Sequence, residues 1–486
     1  MIRAQIKNFG YSTFIYGIAN LLTKIISIVL IPLYTKYLSV NDVGIIALFE
    51  MFEVFLVTII PLGTITSMWR YLSESDINDK QSIIKSTFII IFLSGIVIIV
   101  IFYYVIQHLI GNISLAINGN LIYYLLISCF FRVTSNFLFW ILQYKNSVIK
   151  YLFFSLIQFL SVIGLTIYFI IIKDYGIISV YLAKIIVLSV FFIITIIYVF
   201  KESYGTPSLF IGKKLIRYGL PIVPLALLAP ILNTVDRFFI NTFCSLEDLG
   251  KYGIAYKFGM LMNMFLVVPI QRSWGPQMFK VGDFNKDTRI IHQDLTFYYA
   301  YCGIFILVVL SFFSDSFLYF FATESYYSAS WIIPWVALAY FIGGFRIFLQ
   351  AGASLRDRTD LFFSTAIITM LFSIVLNWLL IENYGIFGAV IATIVSYLFL
   401  VTLLYINGKK ITNIDWPISK IIYCAIIAIF LIIIVNYIIK FSPNYSIYYK
   451  CVGIILYPII SILTNLIGDK EIKGIKSICN LLVNKV

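Results

Sequence analysis

Strongly apolar runs, each about 20 residues or longer, recur along the 486-residue chain with only short polar breaks between them. One such run crosses the roughly 30 Å hydrocarbon core of a bilayer as a single α-helix rising about 1.5 Å per residue. The pattern predicts spans at 12–35, 43–71, 84–110, 119–142, 149–172, 176–200, 216–243, 250–279, 294–321, 329–352, 361–381, 385–407, 418–439 and 447–467. These segments are too long and too uniformly apolar for barrel strands of about ten alternating residues. Composition points the same way. A soluble domain carries about 25% charged residues, whereas this chain has 12% charged and 61% hydrophobic residues. The expectation is an all-α integral membrane protein of about 14 transmembrane helices.

The formal net charge is +13. In a membrane protein the first reading of such an excess is the positive-inside rule, not nucleic acid. With the N-terminus inside, 22 of the 35 Lys and Arg fall in inner segments and five in outer loops, Lys36, Lys173, Lys251, Lys440 and Lys450. That asymmetry predicts an even number of spans with both termini cytoplasmic. The six cysteines lie mostly in apolar runs and form no C-x-x-C pair, so neither a disulfide framework nor a zinc site is expected. Met1–Gly10 is polar and basic and leads into a span-length run, so no cleavable signal is expected either.

Short segments repeat. Lys173-Asp174-Tyr175-Gly176-Ile177 matches Glu382-Asn383-Tyr384-Gly385-Ile386 at an offset of 209. Ser39-Val40-Asn41-Asp42-Val43-Gly44 matches Ser245-Leu246-Glu247-Asp248-Leu249-Gly250 at 206, and Pro61 matches Pro269 at 208. Gly and Asp are common in helix-connecting turns anyway, but three concordant offsets favour a repeat. Six spans separate the copies, so both run in the same direction, as in parallel-repeat transporters. The expected organisation is two six-helix lobes in a parallel pseudo-repeat. They are an N-terminal lobe at 1–200 and a C-terminal lobe at 216–410, joined by a cytoplasmic linker at 201–215. Two further helices in 411–467 and a basic cytoplasmic tail at 468–486 follow, the tail being either an interfacial helix or solvated.

No catalytic, metal or cofactor site is apparent. The inter-span breaks leave no room for a soluble catalytic domain, there is no Walker-type loop, and His108 and His292 read as isolated interfacial residues. The informative residues are charges inside spans, each costing about 2.5–3.5 kcal/mol at a helix centre when it faces lipid. Eight are cations (Lys24, Arg70, Arg132, Lys184, Arg237, Lys257, Arg272 and Arg346) and three are anions, Glu50, Glu53 and Asp236. Arg70, Arg237 and Arg346 either snorkel to an interface or join a cavity as secondary candidates. Lys184 reads as structural or interfacial. Lys24, Arg132, Lys257 and Arg272 are the candidate substrate-binding cations of a cavity, while Glu50, Glu53 and Asp236 are candidates for coupling or gating. Glu50 and Glu53 share a helix face. The repeat sets Glu50 opposite Lys257, which predicts that the two pair across the cleft. A positive cavity suits phosphate, pyrophosphate or sugar carboxylates. Trp69 and Trp274 either stack on sugars or belong to an interfacial belt. Pro221, Pro224, Pro230, Pro269 and Pro276 predict bent helices beside the cleft.

Five segments carry a family resemblance. They are Tyr37-Leu38-Ser39-Val40-Asn41-Asp42-Val43-Gly44, Tyr218-Gly219-Leu220-Pro221-Ile222-Val223-Pro224, Asn233-Thr234-Val235-Asp236-Arg237-Phe238, Gly250-Lys251-Tyr252-Gly253-Ile254-Ala255-Tyr256-Lys257 and Trp274-Gly275-Pro276. With the layout of the whole chain, they resemble the Wzx-type polysaccharide or oligosaccharide flippases, in the superfamily of the MATE exporters and the MurJ lipid II flippases. The resemblance implies a non-enzymatic flippase that moves an undecaprenyl-pyrophosphate-linked oligosaccharide across the bacterial cytoplasmic membrane by alternating access. The pathway would be O-antigen, capsule or exopolysaccharide synthesis. It also implies a coupling ion, Na+ or H+, and partners such as a polysaccharide polymerase and a chain-length regulator. The family's cavity cations map onto Lys24, Arg132, Lys257 and Arg272. Alternatives are a MATE-type ion-coupled drug or cation exporter, a lipid II flippase, which usually has more arginine in its first two helices, or a polysaccharide polymerase.

Overall fold

The computed structural model describes residues 28–74, 77–110, 119–145, 147–201, 205–281, 286–350, 359–412, 414–464 and 466. Among them every regular element is helical. The helices are α1 (Ile31–Tyr37), α2 (Val40–Ile59), α3 (Thr64–Glu74), α4 (Ile77–Ile110), α5 (Gly119–Tyr144), α6 (Val148–Ile167) and α7 (Ile178–Phe200). After these come α8 (Leu209–Gly219), α9 (Val223–Phe243), α10 (Leu246–Gly259), α11 (Val268–Val281), α12 (Lys286–Phe321) and α13 (Ile332–Gly344). The last four are α14 (Arg346–Leu349), α15 (Thr359–Thr412), α16 (Ile418–Phe441) and α17 (Ser446–Leu463).

Twelve candidate membrane spans lie among the described residues, and one of them, Phe363–Lys409, is 47 residues long. It is two crossings, because α15 turns at Gly385 with φ of 57°. The first expected span, 12–35, lies mostly outside the described residues. The chain is thus a multi-pass, all-α membrane protein. Its lipid-facing helices show it directly: Leu93, Ile101, Leu160, Ile197 and Phe430 are all exposed although strongly apolar, as hydrocarbon solvent requires.

Several boundaries differ from the sequence expectation. The second span is not one helix, because Pro61–Gly63 separates α2 from α3. The seventh begins earlier, with α8, whose first residues were expected in the linker. A 3-10 turn at Leu220–Ile222 then joins α8 to α9. The eighth is interrupted by a π-helical stretch at Asn263–Val267, a bulge of the kind that often marks functional sites. Pro221, Pro224 and Pro269 fall at or beside these irregularities, where a missing N–H does least harm.

The repeat is visible in local geometry. Ser39 and Asp42 form a capping box at the start of α2: Asp42 N–H donates to Ser39 Oγ at 3.1 Å and Ser39 N–H to Asp42 Oδ2 at 3.2 Å. Ser245 and Asp248 make the same pair of bonds at α10, at 3.0 and 3.3 Å. Each box satisfies two otherwise orphaned N–H groups. Gly176 and Gly385 both adopt a left-handed φ, 55° and 57°, which a Cβ would disfavour.

The described chain forms two compact units. The first lies within Met1–Lys257, Phe321–Tyr326 and Phe363–Ser396; the second within Phe258–Phe320, Tyr327–Phe362 and Tyr397–Val486. In the first, Leu138, Phe139, Leu142, Tyr151, Val187 and Phe191 join α5, α6 and α7 in one apolar cluster. Also in the first unit, a Cβ on Gly44 would stand 2.0 Å from the Leu246 carbonyl oxygen, and one on Gly250 2.3 Å from that of Val40. Repeat-related glycines thus let α2 and α10 meet backbone to backbone. In the second unit Tyr299 stacks on Phe341 at 5.6 Å and donates its hydroxyl to the Phe341 carbonyl at 2.5 Å.

Candidate functional site

A span can hold a carboxylate only if water, a cation or hydrogen-bond donors surround it. Glu50 and Glu53 meet that demand on α2. Three residues at about 100° each leave them about 60° apart on one face of the helix, from which the two carboxylates reach different sets of neighbours.

Glu53 faces α5 and α7. Its Oε1 accepts from Arg132 Nη1 and its Oε2 from Lys184 Nζ at 3.0 Å. The Glu53 side chain is 4% exposed, whereas Arg132 keeps 44% of its surface open. Glu50 faces α9 and α10. Its Oε2 accepts from Arg237 Nη1 at 3.2 Å and its Oε1 from Lys257 Nζ at 2.9 Å. Arg237 Nη1 also donates to the Ala47 carbonyl at 3.0 Å, and its guanidinium lies 5.5 Å from the Tyr256 ring centroid. Two carboxylates thus hold four cations within one unit, leaving the cluster cationic. Asp236 is buried beside it. Its Oδ2 accepts from the Tyr252 hydroxyl and its Oδ1 from the Arg237 backbone N–H.

The structure therefore brings together Arg132, Lys257, Arg237, Glu50 and Glu53, with Asp236 adjacent. Arg237 does not snorkel; it is buried and bonded. Lys184, which read as structural or interfacial, is a full member of the cluster. Nothing local marks it, because α7 is apolar on every side and no period identifies its inward face. Lys24 lies outside the described residues. Arg70 stands apart from these ion pairs, its guanidinium 4.5 Å from the Tyr218 ring centroid. Arg272 and Arg346 belong to the second unit, both half-exposed. His292 is fully buried, with its ring 5.1 Å from that of Trp274. Trp274 is buried too, while Trp69 is 40% exposed. Among the described residues no three His, Cys, Asp or Glu side chains gather in a metal-binding group.

The comparisons with known proteins agree with this architecture. The chain is 26% identical over 171 residues to the Man(5)GlcNAc(2)-PP-dolichol translocation protein RFT1 of Kluyveromyces lactis, a match covering 32% of this chain. The chain spans only about 30% of the length of that curated relative. Among solved structures it is similar in fold to the lipid II flippase MurJ in an inward closed conformation. The TM-score is 0.76 at 19% identity, over 93% of this chain and 99% of that one. It is also similar to an inward-facing multidrug-resistance MATE transporter of the MOP superfamily. There the TM-score is 0.64 at 14% identity, over 81% of this chain and 93% of that one. The family model described as polysaccharide biosynthesis protein matches residues 9–281, more than half of the chain and all of the charged cluster. With fold, cluster and matched region in register, the chain belongs to the polysaccharide biosynthesis protein family.

Proposed function

We propose that this protein flips a pyrophosphate-linked, anionic oligosaccharide unit on an undecaprenyl carrier across the bacterial cytoplasmic membrane, for surface-polysaccharide assembly. The observation that carries this reading is the excess of cations held on Glu50 and Glu53 at mid-span. An anionic cargo offers the guanidinium and ammonium groups the same partner that the two carboxylates offer, and an Arg can take phosphate oxygens in a bidentate grip. Cargo entry then exchanges one set of ion pairs for another, without stranding bare charge in hydrocarbon. Lys24 and Arg272 are the remaining candidate cargo-binding cations in this reading.

Exchange also frees Glu50 and Glu53. A proton or Na+ that neutralises them, or Asp236, gives a coupling ion its point of action, and α2 transmits the change because it carries both carboxylates. Alternating access follows when the pairs on the α9 and α10 side break and reform. The capped ends at Ser39 and Ser245 face outward and both termini face the cytoplasm. A polymerase and a chain-length regulator are the proposed downstream partners. The kinship with a translocation protein for a diphosphate-linked oligosaccharide supports this cargo class. No bond is made or broken, so the reading is of a transporter, not an enzyme.

The test is reconstitution into liposomes containing a fluorescent undecaprenyl-pyrophosphate oligosaccharide, with an impermeant quencher added outside. The expected result is quenching that proceeds past the outer-leaflet fraction far faster than in protein-free liposomes. No acceleration, with export of a cationic dye instead, would replace the flippase by a MATE-type exporter.

A further inference from the structure

Beside the ion pairs, the first unit has a half-open cavity of about 480 Å³ lined by α5, α6 and α7, and the Glu53, Arg132 and Lys184 side chains also line it. That volume falls in the roughly 300–1,000 Å³ range of small-molecule sites. Its walls are unusual for a membrane interior. On α5, Arg132, Asn136, Trp140 and Gln143 follow at steps of four, four and three residues, so they form one stripe on one face. On α6, Ser155, Gln158 and Phe159 form the opposing stripe, and all of these residues line the cavity.

Three carboxamides lining one cavity at membrane depth are costly unless something polar lies beside them. The Gln158 Nε2 donor is buried without a hydrogen-bond partner among the described residues, and a turn of its side chain towards the cavity would give it one in a guest. Each amide presents a donor and an acceptor together, the arrangement that matches neighbouring hydroxyls on a sugar ring. The ring faces of Trp140 and Phe159 supply flat apolar surface for the ring's C–H face. Arg132, only partly covered by Glu53, adds a cation where an acidic sugar would need one.

We propose that this cavity is a subsite for the hydroxyl-rich sugar portion of the cargo, adjoining the cluster that meets its phosphates through Glu53, Arg132 and Lys184. The proposal rests on the flippase reading for its cargo, but it makes a binding claim of its own. The probes are a neutral trisaccharide, triacetylchitotriose, and a uronic-acid trisaccharide, offered to the full-length protein in nanodiscs and read by native mass spectrometry. At least one should bind. Gln158→Leu and Asn136→Leu should each weaken it about tenfold, the loss of roughly one good hydrogen-bonded contact. Inorganic pyrophosphate should not displace the neutral trisaccharide. Gln158→Leu removes an unpaired buried donor, so the variant should melt no lower than the parent, and the displacement experiment needs no variant at all.

In liposomes the same variants should slow flipping of a trisaccharide-bearing lipid about tenfold and leave a single-sugar lipid within about twofold. Failure of both probes to bind, displacement of the neutral trisaccharide by pyrophosphate, or equal slowing of both lipids would overturn the subsite. Sugar binding by a wild-type chain that flips neither lipid would leave the subsite standing and remove the flippase reading.

Discussion

At the scale of residues, the two glutamates on α2 make different predictions because their surroundings differ. Glu53 is the shared acceptor of Arg132 and Lys184. Glu53→Gln leaves two cations facing a neutral amide inside a span. Removing one partner of a buried ion pair costs about 3–5 kcal/mol. Arg132 and Lys184 keep 44% and 21% of their surface open, so the loss belongs at the lower end of that range. It should appear as a clear drop in melting temperature of the detergent-purified protein. At Glu50 the pairing with Lys257 spans 207 residues of sequence, which makes charge swapping informative. E50K or K257E alone should abolish flipping, and the two together should recover it to within about tenfold of the parent, the scale of one imperfect ion pair. No recovery would show that the pair does not act independently of Arg237, which Glu50 also holds.

At the scale of elements, the contact between α2 and α10 carries a sharp steric prediction. A Cβ on Gly44 would meet the Leu246 carbonyl oxygen at 2.0 Å. That oxygen belongs to backbone and has no flexible end to swing away. Gly44→Val should therefore force the two helices apart at a cost of about 1–3 kcal/mol, as overpacking does. Spin labels at Asn41 and Glu247, both exposed beside this crossing, should report a longer separation than in the parent, together with loss of flipping. An unchanged separation would mean that the glycines have no role in the approach. The capping boxes are a smaller effect at the same place. Ser39→Ala and Ser245→Ala should each destabilise by about 1 kcal/mol, seen as small and similar drops in melting temperature.

At the scale of the whole molecule, orientation is the property to test. Basic residues outnumber acidic ones most heavily in the segments assigned to the cytoplasm, so the Asn41 and Glu247 end should face outward. In intact cells, a cysteine at Asn41 should react with an impermeant maleimide, and one at Lys213 only after lysis. Cys244 competes poorly at the outer end, because burial and the Asp248 carboxylate push its thiol above the usual cysteine range. The reverse labelling pattern would invert the direction of transport.

The sequence by itself determined the solvent and the architecture. Hydrocarbon demands long apolar helices with every backbone bond made internally, and that requirement is written locally, span by span. So were the repeated segments in which the structure forms the paired capping boxes and the left-handed glycines Gly176 and Gly385, since caps and turns depend on a few adjacent residues. The list of intramembrane charges was legible for the same reason. The tertiary structure decided which of those charges meet. Lys184 joins Glu53 across 131 residues and Arg237 joins Glu50 across 187. A helix that is apolar on every side does not declare which face turns inward. Its rotation is set only when its neighbours pack against it, and the amide-lined cavity beside Arg132 comes into being at that same step.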